Sequence, residues 1–192
     1  YSISDGNGGT DTATVSITVN AAPAPTPAPT PGPTLQTIAT DGFENSWNDG
    51  SGWSGAWNRG GRTGRPSNQN PHGGSRHAVL RGDSNGQIAR TVDMSGVTNA
   101  QLTFYWKARK LEGGDTARVL VYDGSWHTVL TVSNGQDDNN YHAATIDLSS
   151  YNMTSNFRIG AIVSFSSDKD YFYIDDIEIT YEKGGLVVNA ER

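Results

Sequence analysis

From residue 35 to residue 182 the chain alternates apolar and polar side chains with a period of two, the signature of half-buried strands. Along Gln101–Lys110, Leu102, Phe104, Trp106 and Ala108 alternate with Thr103, Tyr105, Lys107 and Arg109. The first set belongs in a core, Trp106 included, and the second on a solvated face. Val119 and Val121 alternate with Arg118 and Tyr122 in the same way, and Arg158 stands between Phe157 and Ile159. Further strand-like runs are Gln36–Ala39, His77–Arg81, Gln87–Val92, Trp126–Val132, Tyr141–Asp147 and Tyr171–Tyr181. Turn pairs separate them: Gly113-Gly114, Asp123-Gly124 and Asn134-Gly135 supply the left-handed positions that tight connections need. No segment sustains a helical period. Many short strands without helical crossovers predict an all-β, antiparallel sandwich.

Two other segments precede this module. Residues 1–20 hold a turn cluster, Asp5-Gly6-Asn7-Gly8-Gly9, between two strand-like runs, the second alternating at Ala13, Val15, Ile17 and Val19. A lone hairpin buries too little apolar surface to stand by itself. Residues 21–34 place Pro at nearly every second position, which fixes φ and removes N–H donors. They predict a semi-rigid spacer of roughly 3 Å per residue. Residues 183–192 carry no matching pattern and read as a tail.

Composition narrows the classes of function. Apolar residues make up 34% of the chain, Gly is abundant at 23 residues, and Cys is absent, so no disulfide or thiolate metal site holds the fold. The absence of Cys favours a bacterial exported protein. A chain that opens at Tyr1 without Met reads as a piece of something larger. The net charge of −6 argues against nucleic acid as a general partner, and no apolar run is long enough to enter a membrane. The charge is uneven, with Arg59, Arg62, Arg65, Arg76 and Arg81 in a stretch that contains no acidic residue. His72, His77, His127 and His142 show no metal-binding spacing, and no nucleophile elbow or phosphate loop occurs. Catalysis is therefore not expected of this chain, although a parent protein with a hydrolase, lyase or protease domain would suit it. The Arg81-Gly82-Asp83 tripeptide and the Asn152-Met153-Thr154 sequon are short enough to arise by chance.

The pattern Tyr1…Asp5-Gly6-Asn7-Gly8-Gly9-Thr10-Asp11-Thr12-Ala13 resembles the closing hairpin of a bacterial cadherin-like or Ig-like repeat. Asp5 and Asp11 would bind Ca2+ in a whole repeat and are read here as solvated turn residues. The module itself opens on Asp41-Gly42-Phe43-Glu44 with Trp47, Trp53 and Trp57, continues through residues 71–82, and closes on Asp170-Tyr171-Phe172-Tyr173-Ile174-Asp175-Asp176-Ile177. Together these resemble the jelly-roll modules of secreted bacterial enzymes, including family 4 and family 22 carbohydrate-binding modules, and MAM-like domains. The resemblance implies a jelly-roll β-sandwich with a structural Ca2+, nominating Glu44 and Asp176 as ligands with Asp41 as a further member.

The polar sets of the strands suggest a ligand surface. Tyr105, Lys107, Arg109, Arg118, Tyr122 and Arg158, if gathered on one sheet face, would suit a polysaccharide bearing carboxylate or sulfate. Arg matches such oxyanions with two parallel hydrogen bonds, and aromatic rings stack on sugar C–H faces. An ordinary solvated face is the competing interpretation. Arg59, Arg62 and Arg65 beside Trp53 and Trp57 form a second candidate, and Trp126 suits packing and binding equally. The expected protein is thus a non-catalytic, monomeric carbohydrate-binding module of a secreted or cell-surface bacterial multidomain protein. An adhesion or spacer module, or an accessory domain of a secreted protease, is the alternative.

Overall fold

The computed structural model describes residues 2–22, 32–82 and 85–183. Asp83 of the Arg-Gly-Asp tripeptide, most of the Pro-rich spacer and residues 184–192 lie outside them. Contacts divide the chain into a unit at Tyr1–Thr30 and a larger unit at Pro31–Arg192.

In the first unit β1 (Ser2–Ser4) pairs antiparallel with β2 (Thr10–Thr12). Asp5 Oδ1 accepts hydrogen bonds from the Asn7 and Gly9 amides at 2.8 and 3.0 Å, so this carboxylate closes the turn. Gly6 and Gly8 take the left-handed backbone that turn requires. The alternating stretch after Thr12 does not continue as a strand, contrary to its pattern. Residues 13–22 form none, and Val15, Ile17 and Val19 are 63%, 81% and 87% exposed. A period of two produces a strand only where a pairing edge and a second layer receive it.

The second unit is a two-sheet sandwich. One sheet orders β10 (Trp126–Ser133), β9 (Thr116–Tyr122), β12 (Phe157–Ser164), β7 (Gln87–Val92) and β4 (Asn58–Gly60). The other orders β11 (His142–Asp147), β8 (Ala100–Arg109), β13 (Tyr171–Lys183), β6 (Ala78–Arg81) and β5 (Thr63–Gly64), with β3 (Thr34–Asp41) also paired to β13. The pairings between these strands are antiparallel. The strands β4 and β5 were hidden in the Arg-rich stretch, which carries the chain from one sheet to the other.

The apolar sets meet between the sheets. Leu102, Phe104, Trp106 and Ala108 of β8 and Phe172, Ile174, Ile177 and Ile179 of β13 face Val119, Val121, Ile159, Ala161 and Val163, all buried. A bulge keeps β13 in phase. Asp176 and Ile177 are the extra pair between the registers Asp175↔Tyr105 and Glu178↔Thr103, and Asp176 adopts φ +45. The slip of one residue lets Phe172 and Ile177 point to the same side. One charge also points inward: Arg90, between Ile88 and Val92, is buried against Asp41. Asp41 accepts further hydrogen bonds from Trp57 Nε1 at 2.7 Å and from the Phe43 amide at 2.8 Å. Removing one member of such a buried pair typically costs about 3–5 kcal/mol, because the other charge is left unpaired in the core.

Candidate functional site

The six cations and tyrosines nominated above do not form one surface. Tyr105, Lys107 and Arg109 lie on β8, whereas Arg118 and Tyr122 lie on β9 and Arg158 on β12. The two groups belong to different sheets and face away from the shared core on opposite sides of the sandwich. Local alternation located each residue's face correctly but carried no information about which strands would pair.

The outer face of the β8 sheet is covered. The connection from Arg65 to His77 runs across it, and Gln69 and Asn70 both take left-handed backbone (φ +67 and +51). Their carbonyls accept hydrogen bonds from the Lys107 ammonium, which is only 2% exposed and therefore not the solvated cation its position suggests. Lys107 also sits over the Tyr141 and Tyr173 rings, 4.5 and 5.0 Å from their centroids. The His72 ring stacks on Tyr105 with centroids 3.4 Å apart, and Arg109 donates to Gln69 Oε1 at 2.7 Å. Beneath this cover lie groups with displaced proton affinities. Burial, reinforced by Lys107, holds His77 down at about 4, and its Nδ1 shares a 2.6 Å hydrogen bond with the Tyr141 hydroxyl. Burial and then the neighbouring Asp176 charge push Asp175 up to about 7. Two pockets stay open there, one of about 420 Å³ beside Arg81, Arg109 and Tyr171 and one of about 180 Å³ beside Lys107, Asn139 and Tyr141.

On the outer face of the β9 sheet Arg118 and Trp126 are exposed, and no such connection lies over them among the described residues. The rows of this sheet read Arg158–Tyr122–Trp126 and then Gly160–Leu120–Thr128 across β12, β9 and β10. Trp126 starts on the edge strand, and its ring reaches over to β12. A Cβ on Gly160 would come within 3.1 Å of the indole, so a glycine there is what lets the ring lie across the sheet. The indole remains 45% exposed. It stands 5.3 Å from the Tyr122 ring, and the Arg158 guanidinium lies 5.1 Å from the centroid of that same ring. Trp126 and Arg158, with Arg118, Asn58 and Gln87, line a groove of about 430 Å³ whose described lining contains no acidic side chain. Among the described residues neither Arg118 nor Arg158 forms an ion pair. Trp126 was the residue left undecided by the sequence, yet a signal for it existed. The turn at Asp123-Gly124-Ser125 sets Trp126 opposite Tyr122, and hence on the same face.

In the Arg-rich loop Arg65 is engaged with the module's own backbone, while Arg59 and Arg62 are exposed. Arg65 donates to the carbonyls of Phe43 and Asn45 at 2.6 and 3.0 Å, and Arg59 lies 5.0 Å over Trp47. Trp53 and Trp57 pack with their centroids 5.6 Å apart, as part of the core or against it.

The three nominated calcium ligands do not form one metal site. Asp41 is buried, its charge already balanced by Arg90 and its oxygens already holding donors. Glu44 and Asp176 do come together, beside the neighbouring Gly74 and Gly73. Glu44 accepts from the Ser75 and Arg76 amides and the Ser75 hydroxyl at 2.8–3.0 Å, which holds its carboxyl below the usual range, while Asp176 is 2.6 Å from His72 Nδ1. Both carboxylates thus already meet donors of this chain. A different set, Glu112, Asp115 and Asp170, places one carboxylate oxygen from each residue within 4.8 Å of the others and could hold a metal ion.

No family pattern matches the sequence, and no curated protein does either. Solved structures do match. The module is similar to TmCBM61 in complex with β-1,4-galactotriose, at 16% identity and TM-score 0.55, over 74% of this chain and 94% of that one. It is also similar to the family 22 module of a Clostridium thermocellum endo-1,4-β-D-xylanase 10B complexed with xylohexaose, at 13% identity and TM-score 0.54. That match covers 77% of this chain and 29% of the xylanase chain. A xylan-binding domain of family 22 follows at 16% identity and TM-score 0.48, covering 77% of this chain and 96% of that one. The module therefore has the jelly-roll β-sandwich fold of carbohydrate-binding modules.

Proposed function

We propose that the module is a non-catalytic carbohydrate-binding module of an exported bacterial multidomain protein, that its ligand is an anionic polysaccharide, and that the groove on the β9 sheet is the binding site. The observation that carries this reading is the exposed Trp126 indole, laid over Gly160 in a groove lined by two arginines and no carboxylate. An indole offers a flat apolar surface to sugar C–H bonds, while Arg118 and Arg158 offer paired donors to a carboxylate or sulfate. Asn58 and Gln87 add neutral hydrogen-bonding groups for hydroxyls. TmCBM61, which has a similar fold, is in complex with a neutral oligosaccharide, galactotriose, and this supports sugar as ligand class. The preference for negative charge rests on the two arginines. A chain of net charge −6 is repelled by a polyanion at long range, so retention would report a specific site rather than general attraction.

Affinity gel electrophoresis in polygalacturonate, a sulfated polysaccharide, galactan and xylan tests this. Retardation by at least one anionic polymer, abolished in Trp126→Ala, is the expected result. Retention by no polymer at all would replace this reading with that of an adhesion or spacer module.

A further inference from the structure

At one end of the sandwich two connections cross between the sheets side by side. One joins β8 to β9 and carries Glu112 and Asp115, and the other joins β12 to β13 and ends at Asp170. Asp115 and Asp170 are 2% and 1% exposed, and Glu112 is at the surface. Asp115 is well supplied with donors. Its Oδ2 accepts from the Glu112 amide and its Oδ1 from the Ser166 amide, both at 2.8 Å. Asp170 is supplied on one side only, Oδ2 accepting from the Ser167 amide at 2.9 Å. Its Oδ1 is buried with no partner, on a carboxylate packed against those of Asp115 and Glu112. None of the three pairs with a basic side chain among the described residues.

Such an arrangement is costly as it stands. An unpaired buried carboxylate oxygen loses its hydration without recompense, and a second buried carboxylate beside it adds like-charge repulsion. A cation relieves both penalties, and no basic side chain among the described residues is in place to do so. All three ligands are hard oxygens with no His or Cys among them, which selects Ca2+ over zinc or copper.

We infer that Glu112, Asp115 and Asp170 form a calcium site that ties the β8–β9 connection to the β12–β13 connection. Since each connection passes from one sheet to the other, the ion acts as a clip across the sandwich end. It is separate from Glu44 and Asp176.

The test is calorimetric titration of CaCl2 into the chelator-treated full chain, with melting curves in parallel. The wild type should bind calcium and melt several degrees higher with it. Asp170→Asn should lose this binding event, Glu112→Gln should weaken it by roughly tenfold as one charged ligand is removed, and Asp176→Asn should leave it unchanged. Folding of the Asn variant has its own check. Its amide nitrogen would replace the orphaned oxygen as a donor toward Asp115, so without calcium it should melt at or above the wild type. Calcium binding that survives Asp170→Asn, no calcium binding by the wild type, or an Asp170→Asn chain less stable than calcium-free wild type would each overturn the assignment.

Discussion

The two outer faces of the sandwich begin from the same kind of sequence and end in different states. On β8, Tyr105, Lys107 and Arg109 alternate with a buried set, as Arg118 and Tyr122 do on β9 and Arg158 on β12. Yet Lys107 is buried under backbone carbonyls and Tyr105 lies under an imidazole, while Trp126 and Arg118 stay exposed. The difference is made by residues 65–77, which lie over one face and not the other. Cations and aromatics on a strand therefore have no fixed role. On β8 they hold a loop, whereas on β9 and β12 they are left open to solvent, which is what the proposed binding role requires.

Three consequences separate the faces. The largest concerns pH, and belongs to the covered face. His77 is held down at about 4 when folded, against about 6.5 when unfolded, so the fold favours its neutral form. Its contribution is full above pH 6.5 and is lost as pH falls toward 4, on the order of 3 kcal/mol in all. Asp175, pushed up to about 7, gives the opposite trend in both proteins, so the test is the difference. Between pH 7 and 4 the wild type should lose stability relative to His77→Gln in thermal melts, and parallel curves would contradict the burial of that ring. The second effect concerns the cover itself. Lys107→Met removes the donor shared by Gln69 and Asn70 and should cost about 1.5–3 kcal/mol in denaturant unfolding, with polysaccharide retention unchanged. A loss of binding would place the ligand on the wrong face. The smallest effect falls on the β9 face, where Arg118→Ala and Arg158→Ala should each shift stability by less than about 0.5 kcal/mol. A larger change would mean that these side chains do structural work.

Much of this fold was legible in the alternation. The strands at Gln87–Val92, Ala100–Arg109, Thr116–Tyr122 and Phe157–Ser164 stand close to where the pattern put them, because each buries one face on a common core. Arg90 alternates inward with Ile88 and Val92, a position the sequence reading passed over, and its partner Asp41 was read as a metal ligand. The division of the cations between two sheets was not legible. Strand order is decided by contacts between residues far apart in the chain, such as Tyr105 with Asp175, which period-two patterning does not encode. Nor could the cover be foreseen, since residues 65–77 have no periodicity and their conformation depends on Lys107 and Tyr105 beneath them. The acidic triad escaped for the same reason, as Asp115 and Asp170 meet only once two sheet-crossing connections lie together.

The central claim is that the β9 face, and not the covered one, holds the polysaccharide. Two double variants set the faces against each other: Arg118→Ala with Arg158→Ala on the β9 sheet, and Arg81→Ala with Arg109→Ala beside the larger pocket of the β8 sheet. Each is run on the anionic polymer that retards the wild type, at low salt and at about 0.15 M, where screening between exposed charges is already strong. The first pair should abolish retention and the second should leave it intact, with wild-type retention falling as salt rises. Retention that survives the first pair and disappears with the second would contradict the account.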